Sequence, residues 1–406
     1  MYFSVVIPTR NRPEMAAMAI RSALRQDFQD LEVVVSDNSS PDVAPKLEAT
    51  VGTLADRRVR YVRPPRELTM GEHWDFALNE TRGEYVGYLT DRMAFHRSAL
   101  TRLSQEISTH QLDVLSYSSS GILEVAPPYR LQRPPFTGRT ESYESTWVVK
   151  LLSLSVPPWG VPCMLNSFAR RTLLAEMQSA YGPFMASVAP DIASCMHFLD
   201  HVDRFSYLDL PLMVSHGHAS SNGAGFGTGR LNESAREFTA MIQRQGGLPY
   251  APIPEIANNH NIRTHEYCRM RASQKSGRFV DLDLSAYCDE MAAELALQGD
   301  RAQPEGWQLL DAFMGARGIA RRETVPHRSR LKQVAHPVLQ AANDWFGINP
   351  LNRAVGKFAT VDEAVAYDEV HPPPPNSRLS GFLRTRDRAR MAAAGIAPYP
   401  GEPNKP

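Results

Sequence analysis

Cysteine is scarce: four residues among 406, at Cys163, Cys195, Cys268 and Cys288, with no CxxC spacing. That excludes a disulfide framework and a zinc ribbon and points to a reducing, cytoplasmic setting. An excess of one charge is also lacking, because Lys plus Arg totals 44 and Asp plus Glu totals 44. A balanced chain has no long-range field to attract nucleic acid, so none is expected as a partner. Long apolar runs are missing too, since the stretch from Leu151 to Met164 is broken by Ser153, Ser155, Pro157 and Pro158. A spanning helix is therefore not expected, and neither is a signal peptide, because MYFSVVIPTR has no basic region ahead of a longer apolar one. No GxxxxGK[ST] pattern occurs in the glycine-rich segment between His216 and Arg230, which excludes a P-loop there.

What is present alternates. Phe3–Ile7 reads as a buried strand stopped by Pro8, followed by a helix from Pro13 to about Gln26 with Ala16, Ile20, Ala23 and Leu24 on one face. Leu31–Val35 is a second strand running into the polar loop Ser36 to Asp42. A helix near Val43–Leu54, a strand Val59–Val62, a helix near Gly71–Thr81 and a strand Tyr85–Leu89 continue the pattern. Such alternation predicts a doubly wound, mostly parallel α/β sheet with ligands beyond the carboxyl ends of its strands. The loops at Pro8–Arg12, Asp37–Ser40 and Thr90–Met93 should then share one cleft. From Leu112 to Pro162 strands and loops are expected, then helices at Ser167–Ser179 and Asp191–Asp200 and a strand at Phe205–Val214. Helical patterns return at Glu233–Arg244, Leu284–Leu297, Glu305–Ala316 and His336–Trp345. The chain ends in a polyproline run from Pro372 and an arginine patch at Arg384, Arg386, Arg388 and Arg390, expected to be only partly ordered.

The segment SVVIPTRNRPEMAAMAIRSALRQDFQDLEVVVSDNSSPD resembles the opening of the family 2 glycosyltransferases, and RGEYVGYLTDRMAFHRSAL resembles the stretch that carries their acidic turn. The resemblance covers Phe3 to Leu100 well and continues more loosely to Arg230. It implies a GT-A type, Rossmann-like sheet over residues 1–230, with a nucleotide-binding half to about 110 and an acceptor half from 111. Residues 231–370 are then a helical C-terminal region and 371–406 a tail.

A sugar-nucleotide donor needs an acceptor for its base, a tight loop around that base, and positive charge or metal for its diphosphate. The resemblance carries base contact onto Pro8, Thr9 and Arg10, with Asn11 and Ser39 beside them. Asp37 is placed to accept from a base N–H, although an acid there also suits a turn or helix cap. Gly71 permits close backbone approach to the donor at a helix start, whereas Trp74 reads as core. At Thr90-Asp91-Arg92-Met93 the family usually shows Asp-x-Asp, because two carboxylates and the diphosphate hold a divalent cation. Only Asp91 is acidic here. Either Asp91 still contacts Mn2+ or Mg2+ with His216 or His218 as a further ligand, or Arg92 neutralises the diphosphate without metal. An inverting transfer needs a base for the acceptor hydroxyl, and Asp191 after Pro190 fits, with a helix cap as its structural alternative. The glycine-rich segment, with His218 and Arg230, resembles the mobile loop that closes over the diphosphate.

The expected function is an inverting transfer from a nucleoside diphosphate sugar, UDP-sugar foremost, to a glycan or lipid-linked acceptor. The alternative is a degenerate member that binds sugar nucleotide or glycan as a scaffold. A nucleotidyltransferase fits less well, because Pro8–Arg12 contains no glycine. Basic clusters at His327–Lys332 and Arg384–Arg390 admit peripheral contact with the inner face of a membrane, though ordinary solvated helix faces are the better account of both.

Overall fold

The structure is a computed structural model that describes residues 1–124, 126–158, 160–216, 233–244, 246–298, 304–320, 354–375, 391, 395–397 and 399. Its first part runs β1 (Phe3–Thr9), α1 (Pro13–Leu24), β2 (Leu31–Asp37), α2 (Ala44–Leu54), β3 (Val59–Val62), α3 (Met70–Asn79), β4 (Tyr85–Tyr88), β5 (Met93–Phe95) and α4 (Ala99–His110). There follow β6 (Val114–Ile122), β7 (Tyr129–Gln132), β8 (Thr140–Glu144), α5 (Ser145–Ser153), β9 (Ser167–Arg170), α6 (Arg171–Tyr181), α7 (Pro190–His201) and β10 (Arg204–Ser215). The remainder holds α8 (Glu233–Arg244), α9 (Asn259–Ser273), α10 (Leu284–Gln298), α11 (Pro304–Ala316), β11 (Ala354–Phe358) and α12 (Val361–Val370).

The strands form one sheet in the order β11-β7-β6-β9-β4-β1-β2-β3, with β10 pairing β5, β6 and β8. β4, β1, β2 and β3 are mutually parallel, while β9 joins β4 and β6 antiparallel. β1 is buried throughout because helices cover both faces, so every position must be apolar or internally bonded. Phe3, Val5 and Ile7 pack with Ala16 and Ile20 of α1, Leu47 of α2 and Leu103 of α4. Val6 faces the other way and packs with Trp74 of α3, Val149 of α5, Leu174 of α6 and Phe198 of α7. The strand thus sends alternate side chains into two cores, which makes the sheet doubly wound. Glu32, the charge set within the apolar run of β2, is held by the Ser4 hydroxyl at 2.6 Å, the Arg82 N–H at 2.7 Å and the Arg60 guanidinium at 3.2 Å.

Several expectations shift. β2 runs on through Ser36 to Asp37, two residues past the expected strand end at Val35, and Ser167–Arg170 is a strand that precedes α6. Four helices go unread in the sequence: α4, α5 within the proline-rich stretch, α9 and α12. α9 escapes because its buried positions include His260, Asn261, Thr264, His265 and Glu266, so hydropathy does not repeat along it. Chain from the expected helical region also reaches the sheet, where β11 pairs β7 and Asp368 of α12 accepts from Arg133 Nε at 2.6 Å. In the tail, Met391 and Ile396 are buried in the core on the α5 side. The expected helix at His336–Trp345 and both basic clusters lie outside the described residues. Among the described residues, no helix is long and apolar enough to cross a membrane.

Candidate functional site

Parallel register brings the functional ends together. Thr9 is paired with Asp37 across β1 and β2, and Val6 with Tyr88 across β1 and β4, so the β1 loop, the β2 end and the turn at Thr90–Arg92 share one edge. The Thr9 hydroxyl donates to Asp91 Oδ2 at 3.0 Å, and Arg12 Nη1 lies 3.8 Å from Asp91 Oδ1. Burial pushes the Asp91 carboxyl up, against the pull of Arg12, Arg92 and the Thr9 hydroxyl.

The β1 loop is braced on the loop after β2. Asn11 takes a positive φ of 55°, and its N–H donates to Ser39 Oγ at 2.7 Å while its own Oδ1 accepts from Ser40 N at 3.0 Å. Asp37 is fully buried, with Oδ1 accepting from Ser39 N at 2.8 Å and Oδ2 from the Tyr61 hydroxyl at 2.7 Å. Each oxygen keeps a second lone pair for a further donor. Below it, Ser36 Oγ and His73 Nε2 are 2.8 Å apart, and burial lowers His73 to about 4 despite the nearby Asp37 charge. Asn38 clamps Leu68, donating to its carbonyl at 2.8 Å and accepting from its N–H at 3.1 Å. Leu68 leads into Thr69, whose side chain forms a capping box with Glu72 at the start of α3. Arg10 is exposed and pairs with Glu67.

Gly71 does approach backbone closely, but the chain's own. A Cβ there would lie 2.5 Å from Ser187 N and 2.8 Å from Ser187 O. The glycine therefore seats α3 against the loop before α7. Asp75, one turn on, accepts from Met185 N at 3.1 Å, and burial raises its carboxyl to about 7.

Asp191 is the second residue of α7, after Pro190, and Ala189 holds the cap position without a side-chain cap bond. The capping alternative for Asp191 does not apply. Burial raises its carboxyl, backbone N–H groups including that of Ile192 lower it, Glu266 raises it and Arg92 lowers it. Arg92 in turn is lowered by burial and feels Asp91, Arg12 and Asp191. Its Nη1 is buried with no hydrogen-bond partner among the described residues. The Arg92 guanidinium thus lies within electrostatic reach of both carboxylates that the sequence singles out. His216 is buried at the end of β10, where its N–H donates to the Arg92 carbonyl at 2.7 Å and its ring meets Tyr129 edge-on at 5.1 Å. His218 and Arg230 lie outside the described residues.

The donor set fits a divalent cation poorly. Among the described residues no group of three His, Cys, Asp or Glu side chains could hold a metal, and Asp91 already faces Thr9 and two guanidinium groups. Sequence reasoning placed the loop ending at Arg12 in the cleft without giving Arg12 a role, and it missed Tyr61, Asp75, Ser187 and Glu266. Tyr61 was accessible in principle, since the β2–β3 register pairs it with Val35, two residues before Asp37. Asp75, Ser187 and Glu266 carried no signal beyond being polar.

Residues 4–157 match the family model described as glycosyl transferase family 2. Among curated proteins, the chain is 31% identical over 103 residues to a GalNAc(5)-diNAcBac-PP-undecaprenol beta-1,3-glucosyltransferase of Campylobacter jejuni, covering 25% of this chain and 33% of that protein. It is 28% identical over 129 residues to Protein CgeD of Bacillus subtilis, covering 30% of each. The chain spans about a third of the length of these relatives. Among solved structures, TarS 1-349 of S. aureus in complex with UDP-GlcNAc aligns at a TM-score of 0.44 and 17% identity, over 80% of this chain and 95% of that one.

Proposed function

We propose, on the premise that residues 4–157 form a glycosyl transferase family 2 segment, that this protein is an inverting glycosyltransferase. It moves a sugar from a nucleoside diphosphate, UDP in our reading, to a glycan or lipid-linked acceptor in polysaccharide or glycoconjugate synthesis. A lipid-linked substrate appears in the printed name of the Campylobacter relative. The observation that carries the reading is that Arg92 feels the charges of both Asp91 and Asp191 while its Nη1 is buried with no hydrogen-bond partner among the described residues. One guanidinium there joins the place for a leaving diphosphate to the place for an attacking hydroxyl.

In this reading the base lies against the loop edges at Thr9, Asn11 and Ser39, with Asp37 accepting from its N–H. Asp191 takes the proton of the acceptor hydroxyl as that oxygen bonds to the anomeric carbon from the face opposite the diphosphate. The bond from the anomeric carbon to the diphosphate oxygen breaks, and the charge left on that oxygen meets Arg92 and Arg12. Asp91 holds both guanidinium groups in place through charge, and Thr9 fixes its orientation. Because Asp191 works as a charged base and burial raises its carboxyl, the rate falls as pH drops through a value above the ordinary carboxylate range.

Calorimetric titration with UDP and UDP-sugars, with manganese or magnesium and again with chelator, tests the reading. Binding that survives chelator and falls at least tenfold in Arg92→Ala is expected. Metal-dependent binding lost in Asp91→Ala would instead assign a cation to the turn. No binding under either condition would sink the UDP-sugar reading, and donor binding with neither transfer nor hydrolysis would favour the scaffold alternative.

A further inference from the structure

The loop Met185–Ala189 delivers the chain to Asp191, and two elements, α3 and α9, hold it. From α3, Gly71 admits the backbone of Ser187 and Asp75 accepts from Met185 N. From α9, Glu266 accepts from the Ser187 hydroxyl. Glu266 is fully buried, and its other oxygen accepts from Arg269 Nε at 2.9 Å. A buried carboxylate is tolerated where it is both paired and hydrogen-bonded, and here both its oxygens are used, one for charge and one for the loop. α9 lies about a hundred residues beyond the end of the family match, at Asn259–Ser273.

We infer that Glu266 is a positioning residue for Asp191, acting through the Ser187 hydroxyl to hold the loop that sets where α7 begins. The inference rests on the transferase reading above. Truncating the Ser187–Glu266 contact leaves a buried carboxylate paired only with Arg269 and frees the loop one turn from the base. The donor side, built on β1, β2 and the turn after β4, is untouched. The signature is therefore a loss in turnover with donor affinity retained, since a small displacement of a catalytic group costs rate without costing ground-state binding.

The electrostatics agree. Asp191 is faced by Arg92 from the turn after β4, by Glu266 from α9, by Cys163 from the segment before β9 and by Cys195 on its own helix. Glu266 is itself faced by Arg269 and Ser187. Of these neighbours, Glu266 raises the Asp191 carboxyl and Arg92 lowers it. Neutralising Glu266 moves the acid limb of turnover to lower pH.

The test uses the full chain with Ser187→Ala and Glu266→Gln. Glutamine keeps an acceptor for Ser187 and removes the charge, whereas the serine variant keeps the charge and removes the bond. In Ser187→Ala, kcat should fall about tenfold with the donor KM unchanged, and amides 185–192 should exchange hydrogen about tenfold faster. In Glu266→Gln, kcat should be lowered less and its acid limb should shift to lower pH. Wild-type exchange at 185–192 and wild-type turnover in Ser187→Ala would overturn the inference. So would an unmoved acid limb in Glu266→Gln together with full turnover. A wild-type chain that binds donor and transfers nothing would sink the transferase reading instead, and the exchange comparison would still decide whether Glu266 holds the loop.

Discussion

The two sides of the site are built by different kinds of contact. On the proposed donor side, neighbouring parallel strands carry Thr9, Asp37 and Asp91 to one edge, and the partners of Asp37 lie close by, Ser39 in the loop just beyond β2 and Tyr61 on the next strand, β3. On the proposed acceptor side, the loop leading to Asp191 is held by α3, more than a hundred residues earlier, and by α9, some eighty residues later. Register alone assembles the first, because a β-ladder repeats the same spacing at every residue. The second needs particular side chains from remote helices to meet, and it buries carboxyl groups whose charged forms burial disfavours. Asp75, Asp191 and Glu266 are all raised for that reason.

Removing the base should break the comparison most sharply. Asp191→Asn is expected to lower kcat by about a hundredfold to ten-thousandfold while calorimetry finds donor affinity unchanged. Loss of donor binding in that variant would mean that the two sides are not separable. Next comes Asp75, whose carboxyl is raised to about 7 from 3.8. The folded protein holds this proton more tightly than the unfolded chain, so stability from this group is present at low pH and is lost as pH rises from about 4 to 7. Asp75→Asn should remove that loss, an advantage bounded at about 4 kcal/mol above pH 7 and read from urea unfolding of both proteins between pH 4 and 8. His73, two residues earlier on α3, has the opposite sign: it is lowered to about 4 from 6.5, so its contribution is lost as pH falls through that interval.

On the donor side, Arg92→Ala should weaken UDP binding about tenfold to a hundredfold in chelator and leave hydrogen exchange at 185–192 unchanged. A matching rise in exchange would show that Arg92 also holds the acceptor loop. The smallest effect belongs to the capping box. Thr69→Ala removes the bond to Glu72 N and should cost about 1 kcal/mol in urea unfolding, with donor affinity changed little.

Legibility follows the same division. Phe3–Ile7 and Val59–Val62 could be read directly, because strands covered on both faces or set in a repeating βα pattern show their place in composition. Thr9, Asp37 and Asp91 were legible for a related reason, being polar residues at the ends of apolar runs. α9 was not legible, since the face it buries carries Asn261, Thr264, His265 and Glu266, and a buried polar residue looks solvent-exposed to any hydropathy count. Gly71 was recognised as a site of close approach, but not what approaches it. That depends on the path of Met185–Ser187, which no local pattern encodes.

By itself the sequence determined the alternation of strands and helices, the doubly wound sheet and the row of polar residues at its carboxyl edge, because periodicity and turn chemistry act over a few residues. Only the tertiary structure decided which charged groups influence one another: Arg92 with Asp91 and Asp191, and Glu266 bonded to Ser187. Burial and proximity set those charges, and both are properties of the packed chain that no short window contains.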